Sequence, residues 1–234
     1  MALPFFYAGK VSSPGTLLVL DEATARHVTQ VLRMRKGDRL YITDGKGKKL
    51  TVTIQEQHKK ECSVYVEEEL DVPVQRPRVT IAISLVKNTS RFEWFLEKAA
   101  ETGISSIVPL ICERTENTRF RMERMKHILV SAMLQSRQCW LPELPEPVRF
   151  TDWISRAEGV HKYIAHCLDT VKTGLAGTAG LTGDKVVCIG PEGDFTPAEV
   201  NSALVQGFTP VRLGNTRLRT ETAGIAAAVL LRIQ

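Results

Sequence analysis

From residue 79 to the end of this 234-residue chain, apolar runs with the length of buried strands alternate with helical patterns. The run Val79–Val86 is continuous and apolar, as expected for a strand that is buried on both faces. The stretches YIAHCL, KVVCIG and TPVRLG are three further predicted strands farther along the chain. This alternation predicts a mostly parallel α/β sheet, and no other feature of the chain restricts the fold as strongly.

Two of the intervening helices have recognisable starts. Ser90 with Glu93 predicts a capping box at the start of the first helix, and Gly103 predicts its end. A second capping box is predicted for Thr196 with Glu199, and Pro197 would occupy the first helical position. These two helices therefore have boundaries that local sequence alone defines.

Three loops follow predicted strands of this sheet, namely residues 168–173, 190–196 and 214–222. Ligands bind beyond the carboxyl ends of strands in such sheets, and parallel strands end at one common edge. The last two loops belong to the motifs IGPEGDF (Ile189–Phe195) and LGNTRLRTETAGIAAAV (Leu213–Val229), which combine glycines with several charged side chains. We therefore expect the three loops to form one binding site.

The N-terminal part of the chain has a different pattern of short β segments and turns. RLYITDG, KKLTVTIQEQ and CSVYVEEEL alternate or are rich in β-branched residues, and Asp44–Gly45 predicts a hairpin turn. Ala23–Met34 has helical spacing. Its predicted apolar face consists of Ala25, Val28, Val31 and Leu32. A small β-barrel with one helix fits this region.

Two prolines, Pro73 and Pro77, indicate a linker between the two patterns. We therefore expect one domain over residues 1–72 and a second, α/β domain over residues 73–234.

Basic side chains are concentrated within the first of these domains. The formal net charge of the chain is only +5, but residues 26–49 hold eight basic side chains and two acidic ones. Residues 50–75 reverse this balance, with six acidic side chains and two lysines. Because a local positive field attracts polyanions, this distribution favours a nucleic acid partner slightly over a merely solvated basic face.

Several other kinds of site are not indicated. The five cysteines are scattered and form no C-x-x-C pair, so neither a zinc ribbon nor a disulfide framework is predicted. The phosphate-loop, G-x-G-x-x-G and nucleophile-elbow motifs are all missing from the sequence. What remains is a site rich in backbone donors and small residues, which suits a ligand with an adenine edge, a ribose and a charged amino-acid end.

The sequence also indicates no targeting or membrane segment. The N-terminal stretch is interrupted by Pro4 and Gly9, and no apolar run approaches the ~20 residues that a membrane-spanning helix needs. We therefore expect a cytoplasmic protein with no membrane partner.

The two C-terminal motifs resemble those of the ribosomal RNA small-subunit uridine-N3 methyltransferases, the RsmE type within the SPOUT superfamily. HVTQVLRMRKGDRLYITDG resembles the start of that family's RNA-binding barrel, and KNTSRFEWFLEKAAETGISSIVPLICERT resembles its first α/β unit. The resemblance covers essentially the whole chain. It implies a PUA-like β-barrel followed by a mostly parallel methyltransferase domain with a trefoil knot. It also implies a homodimer that methylates N3 of a uridine in 16S ribosomal RNA of the small subunit, with S-adenosylmethionine as cofactor and no metal.

The resemblance further implies which residues form the site. The expected cofactor-binding residues are Cys167, Leu168, Ile189, Gly190, Pro191, Glu192, Gly193, Leu213, Gly214, Leu218, Thr220, Thr222 and Ala223. The expected RNA-binding residues are Arg26, His27, Arg33, Arg35, Lys36, Lys87 and Arg137. Two positions depart from the family pattern: Asp194 stands where a second glycine is usual, and Leu134 stands where a glutamate is frequent.

Arg219 and Glu221 are the expected catalytic residues. Methylation at N3 requires loss of the N3 proton, which leaves negative charge on the uracil ring. Arg219 would stabilise that charge or orient the base. Glu221 would orient Arg219 or assist proton removal. The structural alternative is that Glu221 only complements the helix dipole, which is worth ~0.3–1 kcal/mol. Two functional alternatives also stay open: a related methyltransferase with another RNA target, and a non-catalytic RNA-binding or ribosome-assembly factor.

Overall fold

The computed structural model describes residues 3–58, 61–178 and 180–232, and the chain divides into two compact units. Unit 1 comprises Met1–Val74 together with Met133–Leu141. Unit 2 comprises Gln75–Ala132 together with Pro142–Gln234. The segment Met133–Leu141 thus belongs to the first unit although it lies far along the chain.

Unit 1 is built on a five-stranded sheet with the strand order β1-β3-β4-β5-β2. The strands are β1 (Phe5–Tyr7), β2 (Leu17–Val19), β3 (Arg39–Thr43), β4 (Lys48–Gln57) and β5 (Cys62–Asp71). Neighbouring strands are antiparallel except for β1, which is parallel to β3. The hairpin predicted at Asp44–Gly45 is confirmed, since Thr43 of β3 pairs with Lys49 of β4. Leu50, Val52 and Ile54 alternate along β4 into the apolar core of this unit.

The helix of unit 1 is shorter than the sequence indicates. Residues Glu22–Arg26 form α1, and His27–Val31 continue as a π-helical turn. Ala25 and Val28 are buried as predicted, whereas Val31 and Leu32 are 68% and 42% exposed. A π turn contains more residues than an α turn, so it rotates the following side chains away from the buried face. The predicted apolar face is therefore wrong beyond Val28.

Unit 2 is built on a seven-stranded parallel sheet with the order β10-β12-β9-β11-β6-β7-β8. Its strands are β6 (Val79–Ser84), β7 (Ser106–Ile111), β8 (Val148–Arg149), β9 (His161–Ala165), β10 (Thr173–Gly174), β11 (Lys185–Ile189) and β12 (Thr209–Arg212). The helices between and after them are α2 (Thr89–Glu101), α3 (Met122–Gln135), α4 (Phe150–Ile154), α5 (Pro197–Val205) and α6 (Thr220–Arg232). The parallel α/β sheet is therefore confirmed, and the trefoil knot stays a prediction.

The helix starts agree with the sequence in one case and differ in the other. At α5, the Thr196 hydroxyl accepts from the backbone N–H of Glu199 at 3.2 Å, and the Glu199 carboxylate accepts from the backbone N–H of Thr196 at 2.9 Å. At α2, the predicted Ser90 cap is wrong, because the Asn88 side chain caps the helix by accepting from the backbone N–H of Ser90. Glu93 instead forms a bidentate ion pair with Arg124, at 2.5 and 2.6 Å, so its carboxylate is engaged away from the helix start.

Helices α2 and α6 pack closely because Gly224 has no side chain. A Cβ atom at Gly224 would lie 2.6 Å from Cε2 of Phe95 on α2 and 2.8 Å from Cδ1 of Ile83 on β6. The backbone of α6 can approach these groups only with glycine at this position. This packing determines where the first residues of α6 stand relative to α2.

No helix within the described ranges is long and apolar enough to cross a membrane.

Candidate functional site

A cavity of about 540 Å³ opens beyond the carboxyl ends of β9, β11 and β12 in unit 2. Each of the three loops expected at this edge contributes to its lining. Ile189, Val211 and Leu213 supply apolar wall, and a Cβ atom at Gly214 would meet nothing within 4 Å. The cavity thus combines apolar surface with open backbone, as pockets for small organic ligands do.

The loop after β11 is held in place by hydrogen bonds to neighbouring segments. The Glu192 carboxylate accepts from the backbone N–H of Lys87 at 2.9 Å. The Gly193 carbonyl accepts from the Arg114 guanidinium at 2.7 Å. These bonds attach the loop to the segments that follow β6 and β7.

Asp194 retains the backbone conformation that glycine would favour. Its φ is 64°, and its backbone N–H donates to the Pro191 carbonyl at 2.9 Å. Its carboxylate accepts from the backbone N–H of Cys167 at 2.8 Å, which ties the loop after β11 to the loop after β9. The departure from the family pattern therefore adds a side-chain link between two walls of the cavity.

Charged groups of both signs line the same cavity. Lys172 and Asp194 stand in the lining, and the Lys172 ammonium donates to the His166 carbonyl at 3.0 Å. Arg217 provides a further cation. A zwitterionic ligand end can find partners for both of its charges here.

His166 is buried beside this cavity, and neither of its ring nitrogens has a hydrogen-bond partner within the described residues. Burial lowers the pKa of the ring below its usual 6.5, and the charge of Lys172 lowers it further, whereas Asp194 acts in the opposite direction. The imidazole is therefore neutral near pH 7.

A second cavity, of about 360 Å³, lies at the N-terminal ends of α2 and α6. Its lining consists of Ser90, Arg91, Trp94, Arg219, Glu221 and Thr222. Arg219 also lines the larger cavity, so the two are neighbours. Glu221 is 6% exposed, and its Oε1 lies 3.8 Å from Nε of Arg91. Its Oε2 has no hydrogen-bond partner within the part of the chain that the structure describes.

Most of the expected cofactor-binding residues meet at the larger cavity. Those in its lining are Cys167, Ile189, Gly190, Pro191, Glu192, Leu213, Gly214, Leu218, Thr220 and Ala223. The other three stand elsewhere: Leu168 packs against the apolar core, Gly193 bonds to Arg114, and Thr222 lines the second cavity.

The expected RNA-binding residues are exposed side chains of both units. In unit 1, Arg26 is ion-paired with Glu22 at 2.6 Å, and the His27 ring meets Phe6 edge-on at 5.5 Å. Arg33, Arg35 and Lys36 form no ion pair within the described residues. Two more of the expected residues are Arg137 in unit 1, with φ of 56°, and Lys87 in unit 2, whose ammonium lies 2.7 Å from Glu116.

Several residues that line the cavities were not singled out from the sequence, among them Lys172, Arg91 and Trp94. Lys172 belongs to one of the predicted loops, so its presence in the lining follows from the loop itself. Arg91 and Trp94 gave no such signal, because their position beside Glu221 depends on the packing of α6 against α2. The described residues hold no cluster of three or more His, Cys, Asp or Glu side chains suited to a metal ion.

Two family models match the chain. Residues 74–232 match the model described as RNA methyltransferase domain. Residues 20–67 match the model described as RNA methyltransferase PUA domain, in agreement with the expected PUA-like N-terminal module.

Individual proteins that resemble the chain have related names. The Ribosomal RNA small subunit methyltransferase E of Synechocystis is 29% identical over 90% of this chain and 71% of its own length. A crystal structure of a probable rRNA-methyltransferase from Porphyromonas gingivalis is 38% identical, with a TM-score of 0.90 and 98% of each chain covered. The Ribosomal RNA small subunit methyltransferase E of Neisseria gonorrhoeae, bound to S-adenosyl methionine, is 29% identical, with a TM-score of 0.87 and 97% and 96% of the two chains covered.

Proposed function

Because the chain belongs to the RNA methyltransferase family, we propose that it transfers a methyl group from S-adenosylmethionine to N3 of a uridine in 16S ribosomal RNA of the small subunit. One observation carries this proposal: a cavity with apolar and oppositely charged walls adjoins a second cavity that contains a buried carboxylate, and Arg219 lines both. A methyl donor in one cavity and an acceptor base in the other would be neighbours. The names of the Synechocystis and gonococcal relatives support the substrate class.

The larger cavity fits the cofactor in size and in chemistry. Its volume of about 540 Å³ is within the range of roughly 300–1,000 Å³ of small-molecule sites. The open backbone at Gly214 and the apolar side chains of Ile189 and Leu213 suit an adenosyl group. Lys172 and Asp194 suit the carboxylate and ammonium of the amino-acid end. The gonococcal relative is bound to the same cofactor.

When bound, S-adenosylmethionine supplies a methyl group on a sulfonium sulfur, and the sulfur keeps the electron pair when that methyl carbon is transferred. The residues of this chain must deal with the N3 proton and with the charge that its loss leaves on the base. Arg219, between the two cavities, stabilises charge on the carbonyl oxygens of the base. Glu221 has a carboxylate oxygen, Oε2, with no hydrogen-bond partner among the residues that the structure describes, and it accepts the N3 proton or a hydrogen bond from it.

These roles are tested by Arg219→Ala and Glu221→Ala, with turnover and cofactor affinity measured separately. Both variants should lose roughly 10²–10³-fold in kcat, the usual range for groups that stabilise charge or transfer a proton. Glu221→Ala should also keep wild-type affinity for S-adenosylmethionine, because Glu221 lines only the second cavity. If Glu221 only complements the helix dipole, its replacement will change stability by ~0.3–1 kcal/mol and leave kcat unaffected. Near wild-type turnover in both variants would remove the assignment.

Unit 1 would supply RNA affinity in this account. The PUA match supports binding to phosphates, and so do Arg33, Arg35 and Lys36, which form no ion pair within the described residues. Arg26, His27, Lys87 and Arg137 remain the other proposed contacts. A ribosomal RNA substrate implies a cytoplasmic location. We keep the domain boundary near residue 72 and the homodimer as further parts of the proposal, and sedimentation velocity tests the latter.

A non-catalytic RNA-binding or assembly factor is the functional alternative from another class. Titration calorimetry with S-adenosylmethionine separates the two, because a pure binding module has no affinity for this cofactor. Binding that Gly214→Val abolishes, by filling the open space of the larger cavity, would support the enzyme.

A further inference from the structure

The smaller cavity contains chemistry that cofactor binding does not use. Arg91 and Trp94 are three residues apart on α2, so they share one side of that helix. Glu221 and Thr222 face them from the first turn of α6. The cavity therefore presents an indole, a guanidinium and a carboxylate within a volume of about 360 Å³.

Glu221 is the most unusual of these groups. Its side chain is 8% exposed, its Oε2 has no hydrogen-bond partner within the described residues, and its nearest cation, Nε of Arg91, is 3.8 Å from Oε1. A buried carboxylate without a full set of donors is unfavourable. A ligand with an N–H donor would supply a hydrogen bond to this carboxylate.

Trp94 is 45% exposed, although tryptophan has a large apolar ring. An exposed aromatic face beside cationic side chains is the usual platform on which an unpaired nucleic acid base stacks. A uracil ring offers an N–H flanked by two carbonyl oxygens. The N–H can donate to the Glu221 carboxylate, and the carbonyl oxygens can accept from the guanidinium groups of Arg91 and Arg219.

We propose that the cavity at the N-terminal ends of α2 and α6 binds the uracil base of the target nucleotide. Trp94 stacks on the base, Arg91 binds a carbonyl oxygen of the ring and positions Glu221, and Glu221 accepts a hydrogen bond from N3–H. The assignment rests on the proposed function, since Arg219 places this cavity beside the one assigned to the cofactor. A second copy of the chain is the other occupant that the exposed indole would suit, and the association state of the variants distinguishes it from the base.

The variants that test the proposal are Trp94→Ala, Trp94→Phe and Arg91→Ala. The matched control is Lys98→Ala on the same helix, because Lys98 is bonded to Glu97 and Glu101 and stands outside both cavities. Steady-state kinetics with small-subunit RNA, calorimetry with S-adenosylmethionine and sedimentation velocity are measured for each. Trp94→Ala and Arg91→Ala should lower kcat/KM for RNA by roughly 5- to 100-fold, as loss of one stacked base contact does. Trp94→Phe should retain most of the activity, and cofactor affinity should be unchanged throughout.

A second readout does not depend on methyl transfer. RNA that contains 5-bromouridine is irradiated with the wild-type protein, and the protein is digested with trypsin, which releases the peptide Phe92–Lys98 with Trp94 inside it. A cross-link on this peptide supports the base-binding cavity. If the same protein shows no methyl transfer, the cross-link would still support the cavity while the proposed function fails.

Two results would overturn the proposal. One is wild-type kinetics in Trp94→Ala and Arg91→Ala together with no cross-link on the Phe92–Lys98 peptide. The other is a Trp94→Ala variant whose loss of activity accompanies a change in association state, which would assign the cavity to contact with a second copy.

Discussion

The backbone N–H of Cys167 donates a 2.8 Å hydrogen bond to the carboxylate of Asp194. The bond joins the loop after β9 to the loop after β11, and both loops line the larger cavity. Asp194 has a φ of 64°, which glycine would adopt with less strain, but glycine has no side chain to make the link. This chain therefore combines a glycine-like turn with a carboxylate that links two loops of the larger cavity.

Replacements of Asp194 should separate the turn from the link. Asn tolerates a positive φ and keeps an oxygen acceptor, so Asp194→Asn should retain nearly the wild-type stability. It loses the negative charge proposed to face the ammonium of S-adenosylmethionine, so it should bind the cofactor more weakly than the wild type does but more tightly than the Ala variant. Asp194→Ala loses both properties and should lose about 1–3 kcal/mol of stability, with weaker cofactor binding. Asp194→Gly restores an unstrained turn but has no carboxylate to accept from Cys167. Its stability should therefore lie between those of the Asn and Ala variants. Thermal unfolding and titration calorimetry measure these effects, and equal behaviour of the Asn and Ala variants would contradict the link.

Gly224→Ala should destabilise unit 2. The added Cβ would lie 2.6 Å from Phe95 and 2.8 Å from Ile83, so α6 must move away from α2 or the neighbouring side chains must shift. Overpacking of this kind typically lowers the free energy of unfolding by about 1–3 kcal/mol. Denaturant unfolding measures the change. The control is Gly177→Ala, since a Cβ atom there would meet nothing within 4 Å. An equal effect of the two substitutions would show that close packing of α6 is not the cause.

The stability of the protein should depend on the protonation of His166. Its pKa is lowered below 6.5, first by burial and then by Lys172, so the unfolded chain binds the proton more readily than the folded protein does. The contribution of the neutral ring is fully present above pH 6.5 and is lost as the pH falls from there through the folded-state pKa.

Denaturant unfolding between about pH 8 and about pH 5 measures this dependence. His166→Asn should flatten the decrease in the free energy of unfolding on the acid side, although burial of the amide lowers its absolute stability. The control is His127→Asn, on the exposed side of α3, which should keep the wild-type slope. An unchanged slope in His166→Asn would contradict the assignment.

Arg33 and Arg35 of unit 1 should contribute to the salt dependence of RNA binding. Arg33→Ala and Arg35→Ala each remove a cation that has no ion-pair partner within the described residues. The slope of log K against log salt should fall by roughly one for each phosphate contact that is lost. Arg39→Ala is the control, because Arg39 of the same unit is paired with Glu67 at 2.6 Å and is not among the proposed RNA contacts. Filter binding at several salt concentrations measures the slopes. An unchanged slope in Arg33→Ala and Arg35→Ala would show that these residues are solvent-exposed without contacting RNA.

Much of the fold follows from short-range patterns. The buried strands β6 and β11 were predictable because strands covered on both faces are continuously apolar, and α5 because its capping box is local. The C-terminal half of the first helix was not predictable, since the π turn at His27–Val31 depends on packing within unit 1 and not on apolar spacing. At α2, Asn88 and Ser90 are both suitable caps, and the tertiary ion pair of Glu93 with Arg124 accompanies the choice between them.

The candidate site, too, was predictable in part from the sequence. Parallel strand order predicted that three loops meet, and ten of the thirteen expected cofactor residues line one cavity. The chemical identity of the ligand did not follow from periodicity, and it came from the resemblance of the loop motifs to a known family. Arg91 and Trp94 were missed because no sequence pattern indicates which helix lies against the first turn of α6. Their position depends on the space that Gly224 leaves for helix packing.

The most direct test of the proposed function is nucleoside analysis of small-subunit ribosomal RNA. RNA from a strain that lacks this protein is incubated with the purified protein and isotopically labelled S-adenosylmethionine, digested to nucleosides and analysed by mass spectrometry. The account predicts that the label appears in 3-methyluridine, that this nucleoside is missing at the corresponding position before incubation, and that Arg219→Ala strongly reduces its formation. Label in another nucleoside, or no label with wild-type protein that binds the cofactor, would contradict it.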